Sequence, residues 1–395
     1  MVKRRSWSGG VALLLGLPLT AALAWAADPG PLRAAAAAPT SLSVFATGLE
    51  HPWALAFLPD GSMLVTERAG RLRRVSADGQ RVSAPIEGLP PVRASGQGGL
   101  LDVVVDPQFE DEPWVYWSYA EAGQGDESGL AGTAVARARL DGDRLRDVQV
   151  IFRQQPKVRG SGHFGSRLVF DRDGRHLFVT LGDRQLDSTS RPGRDWAQNP
   201  AVGLGKVVRI ARDGTPAGAN PPVAGGFPGL WSLGHRNPQG AALHPSTGEL
   251  WIHEHGPQGG DELNIVRAGR NFGWPLKSYG CSYGAPVGHA CQVGGGRHAP
   301  DFVEPITTWV PTSIAPSGMA FVTAARYPAW QGSLVVGALR GQALWRLVLE
   351  GDRVVGREEL FASERRRIRD VRQGPDGRLY LLTDDPQAQI LRTEP

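Results

Sequence analysis

One short pattern recurs along this chain: a turn, often with a glycine, followed by a strand of β-forming residues. The six copies lie at 59–68, 110–120, 172–183, 246–256, 330–340 and 375–385. Their strand centres are separated by roughly 45 to 84 residues, and a four-stranded propeller blade needs about 40 to 45. The spacing therefore allows one blade for each copy, with insertions in the middle of the chain.

The recurrence predicts an all-β protein, a six-bladed β-propeller over residues 42–395. The 52 glycines and 31 prolines disfavour a helical fold. Residues 53–57 and 166–170 alternate in polarity, which is typical of half-buried strands. The alternative all-β fold is a pair of stacked sandwiches. Regular repetition favours the propeller, in which each blade buries its faces against its neighbours.

The N-terminus has the features of a secretory signal peptide. Three basic residues at 3–5 precede an apolar stretch at 11–25, and a small-residue cleavage pattern follows. The alternative is a membrane anchor, but an apolar core of about 15 residues that contains Pro18 is shorter than the roughly 20 a spanning helix needs. We expect a signal peptide at 1–26, a low-complexity flexible lead-in at 27–41, and export to the periplasm or medium.

Charge and cysteine content narrow the range of partners. The net charge is +4, and three of these charges lie in the predicted signal peptide. The remainder is nearly neutral, which argues against a nucleic-acid partner. No other apolar stretch is long enough to span a membrane. Export permits a disulfide between Cys281 and Cys291, and two free thiols are the alternative. The sequence leaves monomer and homodimer open.

His163 is the strongest candidate for a catalytic base. Glycines at 160, 162 and 165 flank it and allow a ligand to approach closely. An imidazole titrates near neutral pH, as a general base should. Asp183, at the end of the following strand, could orient the ring. The plainer alternatives are a structural or surface histidine and an aspartate that caps a turn.

Several arginines occupy positions at which they could bind an anion. Arg236 and Asn237 can together hold a carboxylate or quinone oxygen through charge-assisted hydrogen bonds. Arg367 and Arg369 alternate in an extended segment, so both guanidiniums lie on one face. Arg340 ends another strand. The alternatives are an ordinary turn and a solvated charged run, but together these residues suit a polyanionic cofactor.

The segment that follows the fourth recurring strand is a candidate metal site. Its His-Glu-His triplet is followed at once by Gly-Pro, so it cannot be the helical zinc motif. In a strand, His253 and His255 share a face and could both ligate. Asp261 and Glu262 add oxygen ligands in a bent loop, which suits Ca²⁺ better.

Several segments in the same order resemble one family. They are HPWALAFLPDGSMLVTER, GQGGLLDVVVDPQF, HFGSRLVF, GHRNPQGAALHPSTGELWIHEHGPQGGDELN, NFGWP, IAPSGMAF and RIRDVRQGPDGRLYLLTD. Over roughly residues 42–393 the chain resembles the soluble PQQ-dependent aldose sugar dehydrogenases, relatives of soluble quinoprotein glucose dehydrogenase. The resemblance implies a six-bladed propeller with PQQ over the channel. It also implies oxidation of the C1 hydroxyl of aldoses to lactones, with electrons passed to an external acceptor.

The resemblance also implies residue roles. His163 would take the hydroxyl proton while hydride passes to the quinone, Asp183 would hold His163, and Arg236 would polarise the quinone carbonyl. Gln97, on a glycine-rich turn, would contact the sugar. The implied PQQ-binding residues are Arg236, Asn237, Tyr283, Ala338, Leu339, Arg340, Arg367 and Arg369.

Two Ca²⁺ ions are implied as well. One would use the carbonyls of Gly256 and Pro257, and a second, structural ion would use Glu262 and the carbonyl of Phe272. The chain departs from the family at Arg340, where relatives commonly carry lysine. It departs again at residue 162, a glycine where the glucose-specific enzymes have aspartate, which puts strict glucose selectivity in doubt.

Two other functions are compatible with a propeller. One is a metal-dependent hydrolase of the lactonase type, which needs a carboxylate-lined central metal. The other is a sugar-binding propeller without catalysis. The arginine-rich channel predicted here argues against a bare central metal, because guanidiniums repel cations.

Overall fold

Regular structure in this chain is almost entirely β-strand. A computed structural model describes residues 38–187, 195–218 and 220–395, so the predicted signal peptide lies outside the described residues. The strands are β1 Ser41–Leu49, β2 Pro52–Phe57, β3 Met63–Glu67, β4 Arg71–Val75, β5 Leu100–Val105, β6 Trp114–Ala122, β7 Ala131–Asp141, β8 Arg144–Arg153, β9 Gly165–Phe170, β10 His176–Leu181, β11 Lys206–Ala211, β12 Leu230–Leu233, β13 Pro238–Leu243, β14 Leu250–Glu254, β15 Asp261–Val266, β16 Ser278–Cys281, β17 Gln292–Val293, β18 Thr307–Trp309, β19 Pro316–Phe321, β20 Leu334–Ala338, β21 Leu344–Glu350, β22 Arg353–Leu360, β23 Ile368–Gln373, β24 Leu379–Thr383 and β25 Ala388–Glu394. Short 3-10 helices lie at Gly125–Glu127, Trp196–Gln198, His289–Cys291, Pro328–Trp330 and Ala362–Glu364. Within the described ranges, no helix has the length and apolar character to cross a bilayer.

Among the described residues, six antiparallel sheets follow one another along the chain as blades, and a seventh, two-stranded sheet of β16 and β17 lies in the insertion between β15 and β18. Each recurring segment of the sequence supplies the second strand of one sheet: β3, β6, β10, β14, β20 and β24. The first strands are β2, β5, β9, β13, β19 and β23. Each first strand contacts that of the next sheet, and the last contacts the first, so the sheets form a ring. The predicted six-bladed β-propeller is confirmed, and its first strands surround the central channel.

The ring is closed by strands from opposite ends of the sequence. β1 pairs with β25, from Ser41 against Glu394 to Leu49 against Ala388. The last sheet therefore contains three C-terminal strands and one N-terminal strand. The end of the predicted lead-in takes part, because the backbone N–H of Thr40 donates to the Glu394 carbonyl at 2.9 Å.

Aromatic and aliphatic side chains hold neighbouring blades together. Trp53 of the first blade packs in one buried cluster with Trp117 of the second. Trp251 of the fourth blade packs with Met319 of the fifth. Burying a large apolar side chain contributes roughly 1.5–3 kcal/mol. Repetition of such contacts around the ring gives the channel a rigid wall.

The channel wall also contains a buried ionic network. Arg167 lies 3.2 Å from Asp102 and 2.9 Å from Asp370, and Arg372 lies 3.0 and 2.9 Å from the same two carboxylates. The Arg167 guanidinium also covers the Trp53 ring at 4.2 Å. These charges come from the second, third and sixth blades, so the network ties distant parts of the ring together.

Candidate active site

Two cavities meet at one end of the channel. The outer cavity, of about 630 Å³, is lined by His163, Arg236, Tyr283 and Arg340 among others. The inner cavity, of about 170 Å³, is lined by residues that include Asn237, Leu339, Arg367 and Arg369. Gln97 and His255 line both cavities. Residues predicted from seven separate segments therefore lie around one continuous site.

His163 and Asp183 form a close, buried pair. The Nδ1 atom of His163 lies 2.6 Å from Oδ1 of Asp183. His163 is 5% exposed and Asp183 is fully buried. A carboxylate accepts, so the ring proton lies on Nδ1 and Nε2 keeps its lone pair. The pair therefore has the arrangement of a base with its orienting acid.

The backbone around His163 packs closely against the segment that carries Asp183. His163 has a φ of 45°, in the left-handed region. A Cβ atom at Gly182 would lie 2.1 Å from the His163 carbonyl, so only glycine fits there. The N–H of His163 donates to Oε1 of Gln97 at 2.8 Å. Gln97, predicted to contact the sugar, thus also fixes the His163 backbone.

Burial lowers the pKa of His163 below its ordinary value, and the positive charge of Arg236 lowers it further, while Asp183 acts in the opposite direction. The net effect favours the neutral imidazole. A neutral imidazole with a free Nε2 is the form that can accept a proton.

Asp183 is held by donors that sequence reasoning did not identify. The indole Nε1 of Trp274 donates to its Oδ2 at 2.8 Å, and the N–H of Gln185 donates to its Oδ1 at 2.9 Å. Trp274 lies 91 positions further along the chain. The motif NFGWP was noticed only for its resemblance, and nothing in it indicates this partner.

Arg236 spans the outer cavity with part of its donor capacity unused. Its Nη1 donates to the carbonyls of His255 and Gly256 at 2.9 and 2.7 Å, and Nη2 lies 3.5 Å from the Tyr283 hydroxyl. Its buried Nε has no partner among the described residues. The guanidinium also lies over the Trp274 ring at 5.1 Å.

Arg369 is a second guanidinium without a matching anion. It is 8% exposed and donates to Oε1 of Gln239 at 2.9 Å, while its buried Nε has no partner in the described part of the chain. Burial lowers its pKa to about 10. Arg367, by contrast, pairs with Asp384 at 2.8 Å. A buried cation without a carboxylate partner indicates a site for an anionic ligand.

The remaining predicted cofactor residues lie near the same cavities. The Leu339 carbonyl accepts from Arg367 at 3.2 Å, and Arg340 is exposed. Ala338 ends β20 fully buried and lines neither of the two cavities. Tyr283 is 73% exposed on a loop of the fourth blade's insertion.

A disulfide braces that loop. The sulfurs of Cys281 and Cys291 are bonded, as predicted. Cys281 ends β16 of the β16–β17 hairpin, and Cys291 lies in the short 3-10 helix before β17. Tyr283 therefore lies inside the covalently closed loop, beside Arg236 in the outer cavity.

The Gly256–Pro257 turn lines the outer cavity. The Gly256 carbonyl is within 2.7 Å of Nη1 of Arg236, so a cation bound there would compete with that guanidinium. Asp261, considered as a ligand, is instead engaged by the Gly256 N–H at 3.0 Å and by Ser313, Ile314 and Ala315. Asp261 therefore shapes the turn that carries the oxygens.

A second group of oxygen-bearing side chains surrounds Glu262 on β15. Burial raises the pKa of Glu262 well above its ordinary value, and the nearby Glu254 carboxylate raises it further. The nearest polar partners of Glu262 are distant, Asn264 at 3.4 Å and His298 at 3.5 Å. The buried Oδ1 of Asn264 has no partner among the described residues. Phe272 is buried against this region, stacked on His235 at 4.6 Å. Under-satisfied carboxylate and amide oxygens suit a Ca²⁺ ion.

Fold and site together define a six-bladed propeller in which a histidine–aspartate pair and unpaired guanidiniums face one cavity. The chain belongs to the glucose/sorbosone dehydrogenase family: the family model described as "Glucose / Sorbosone dehydrogenase" matches residues 49–392. This match confirms the resemblance noted from the sequence motifs.

Named relatives agree with that assignment. The chain is 42% identical over 366 residues to aldose sugar dehydrogenase YliI of Escherichia coli (strain K12), covering 91% of this chain and 94% of the relative. A crystal structure of a glucose dehydrogenase is 48% identical, with a TM-score of 0.82 over 90% of this chain and 100% of that chain. The PQQ-bound aldose sugar dehydrogenase of Streptomyces coelicolor is 30% identical, with a TM-score of 0.70, and covers 90% of this chain and 100% of that chain.

Proposed function

We propose that the protein is an exported quinoprotein that oxidises the C1 hydroxyl of aldoses to lactones and passes the electrons to an external acceptor. The observation that carries the proposal is the His163–Asp183 pair, 2.6 Å apart, in a cavity that continues to the unpaired guanidiniums of Arg236 and Arg369. The names of the relatives support an aldose as the substrate.

The cation arrangement fits PQQ, an anion with three carboxylates. Buried guanidinium nitrogens without partners are stabilised when a carboxylate or quinone oxygen accepts from them. Arg236, Asn237, Arg367 and Arg369 would hold the cofactor, with Tyr283, Arg340 and the backbone near Ala338 and Leu339 at its edges. PQQ, when bound, supplies the hydride acceptor.

The protein's own residues would handle the proton. His163 Nε2 takes the proton of the C1 hydroxyl, and Asp183 stabilises the imidazolium that results. Trp274 keeps the Asp183 carboxylate in place through its hydrogen bond of 2.8 Å. Arg236 supplies positive charge where negative charge develops. Gln97 orients the sugar while its Oε1 fixes the backbone of His163.

Ca²⁺ has two proposed positions. The carbonyls of Gly256 and Pro257 would hold one ion beside the cofactor, once Arg236 turns toward that cofactor. Glu262 and the Phe272 carbonyl would hold the second, where buried acidic oxygens lack close partners. The lactonase alternative needs several carboxylates at the central cavity. The described lining of the inner cavity contains three arginines, Arg68, Arg367 and Arg369, and one carboxylate, Asp384, which pairs with Arg367 at 2.8 Å.

The proposal is tested by reconstituting the purified apo-protein with PQQ and Ca²⁺ and measuring aldose-dependent reduction of a dye. We expect saturable PQQ binding by absorbance and dye reduction with several aldoses. The matched control is His163→Asn, which should bind PQQ normally and lose turnover. Folded protein that binds PQQ and Ca²⁺ yet reduces no dye with any aldose would contradict the proposed function.

A further inference from the structure

The space beside Gly162 is filled by another residue. A Cβ atom at Gly162 would lie 2.1 Å from Oε1, 2.3 Å from Cδ and 2.9 Å from Cγ of Gln185. Gly162 directly precedes His163. The Gln185 side chain therefore lies where a side chain at residue 162 would otherwise project, next to the proposed base.

The backbone of Gln185 is firmly placed. Its φ of 58° is in the left-handed region, and its N–H donates to the Asp183 carboxylate. The preceding Arg184 is buried and donates to the carbonyls of Gly160 and Gly162, both at 2.8 Å, and to that of Ala131 at 2.7 Å. Arg184 thus joins the two segments that carry His163 and Asp183 and fixes where Gln185 begins.

The side-chain amide of Gln185 is available to a ligand. The residue is exposed and lines the outer cavity together with His163 and Gln97. The described residues provide no hydrogen bond to its Oε1 or Nε2. Gln97, the other amide on this side, already has its Oε1 engaged by the N–H of His163. Within the described part of the chain, Gln185 is therefore the amide beside the base whose donor and acceptor are both without a partner.

We propose that Gln185 contacts the sugar and, together with the missing side chain at Gly162, determines which aldoses are accepted. This inference rests on the proposed function and goes beyond it by naming a selectivity residue. An amide can donate to or accept from a hydroxyl, so it accommodates sugars that differ in the configuration of one hydroxyl. A carboxylate at the same place could only accept, and would select more strictly.

The first test compares Gln185→Ala and Gln185→Glu with the wild type. Reconstituted enzymes are assayed with aldoses that differ at single hydroxyls, namely glucose, mannose, galactose and 2-deoxyglucose. We expect Gln185→Ala to change at least one kcat/KM ratio by about 2- to 10-fold, the scale of one hydrogen bond. Gln185→Glu should change the ratios in a different order, because it keeps the size and loses the donor.

Gln149→Ala is the matched control, since Gln149 is an exposed glutamine on β8 whose side chain accepts from Arg137. It should leave every ratio unchanged. If the wild type oxidises aldoses and Gln185→Ala changes kcat/KM by the same factor for every sugar, or for none, the inference is overturned. The proposed function then remains intact. A wild type that oxidises no aldose would instead overturn the proposed function.

The second test uses the contact itself. Gly162→Ala forces the Gln185 amide aside, which costs little because the obstructing atoms end a flexible side chain. We expect Gly162→Ala to change the aldose ratios as Gln185→Ala does, and to add nothing in the Gln185→Ala background. The unfolding temperature of each apo-protein distinguishes an effect on selectivity from misfolding. We expect it to shift by no more than a few degrees. Fully additive effects on the ratios would overturn the inference.

Discussion

Two sets of arginines lie in the channel, and they differ in what neutralises them. In the wall, Arg167 and Arg372 share the carboxylates of Asp102 and Asp370, and every contact is 3.2 Å or shorter. At the mouth, Arg236 and Arg369 have no carboxylate within 4 Å among the described residues, and each has a buried Nε without a partner. Arg167, Arg236 and Arg369 are buried, and the side chain of Arg372 is 23% exposed.

The difference separates stability from function. A buried charge that is paired within the protein contributes to the fold, and removing one partner costs several kcal/mol. A buried charge that is left unpaired costs stability, so its retention indicates an external partner. We therefore infer that the wall set, Arg167 and Arg372, stabilises the ring. The mouth set, Arg236 and Arg369, is available to bind an anionic ligand.

The largest effect is expected at the mouth. His163→Asn removes the proposed base and should lower kcat by about 10²-fold or more, the usual scale for a general base. The apo-protein should unfold at the same temperature as the wild type, since His163 takes no part in the wall network. Steady-state kinetics and thermal unfolding measure the two quantities. Retention of kcat within a few-fold would remove His163 from the chemistry.

In the wall, Asp102→Ala should do the opposite. It removes one of the two carboxylates that Arg167 and Arg372 share. It also leaves the Leu168 N–H, which donates to Asp102 at 2.8 Å, without an acceptor. We expect a loss of about 3–5 kcal/mol in the free energy of unfolding, measured by urea denaturation. Asp141→Ala is the control, because it removes an exposed pair with Arg146 and should cost no more than about 1 kcal/mol. Equal losses in both variants would refute the wall's structural role.

Arg369→Met tests the unpaired charge. Removing a buried cation that lacks an anion should leave the unfolding free energy of the apo-protein unchanged or higher. It should also weaken PQQ binding about 10- to 100-fold, because a charge-assisted hydrogen bond is lost. Absorbance titration and urea unfolding give both values. A large loss of apo-protein stability with unchanged PQQ affinity would place Arg369 in the wall set.

The smallest effect is a shift in the pH profile. Since burial lowers the pKa of His163, kcat/KM should stay high as the pH falls through 6.5 and decline only below it. Trp274→Phe removes a hydrogen bond from Asp183, so more negative charge stays on the carboxylate. That charge favours the imidazolium and raises the pKa of His163, so the acid limb of the profile should move to higher pH. We expect less than a 10-fold change at the optimum. If the acid limb of Trp274→Phe lies at the same pH as that of the wild type, Trp274 has only a packing role.

The fold was predictable because each blade repeats one local pattern. The six recurring segments are the six second strands, and a strand's polarity alternates within its own sequence. The positions of His163 and Asp183 followed from their neighbours as well, because glycines and strand ends are local features. The disulfide was predictable from spacing and export.

What the sequence did not reveal depends on contacts between distant segments. Asp102 lies in a strand of apolar neighbours, and only the ring brings it to Arg167 and Arg372. The carboxylate of Asp261 makes it a candidate Ca²⁺ ligand from the sequence. In the structure this carboxylate instead accepts from the backbone N–H groups of Ile314 and Ala315, which lie some 50 residues further along the chain. The proposed role of Gln185 depends on its contact with Gly162, which lies 23 positions earlier in the chain.

The pairing of β1 with β25 has a consequence for biosynthesis. Because the partner of Ser41 is Glu394, the ring stays open until the ribosome has translated residue 394. At about 5–20 residues per second, the first strand waits on the order of 20 to 70 seconds for its partner. A nascent chain of this topology therefore has an open ring, accessible to chaperones, until β25 has been synthesised.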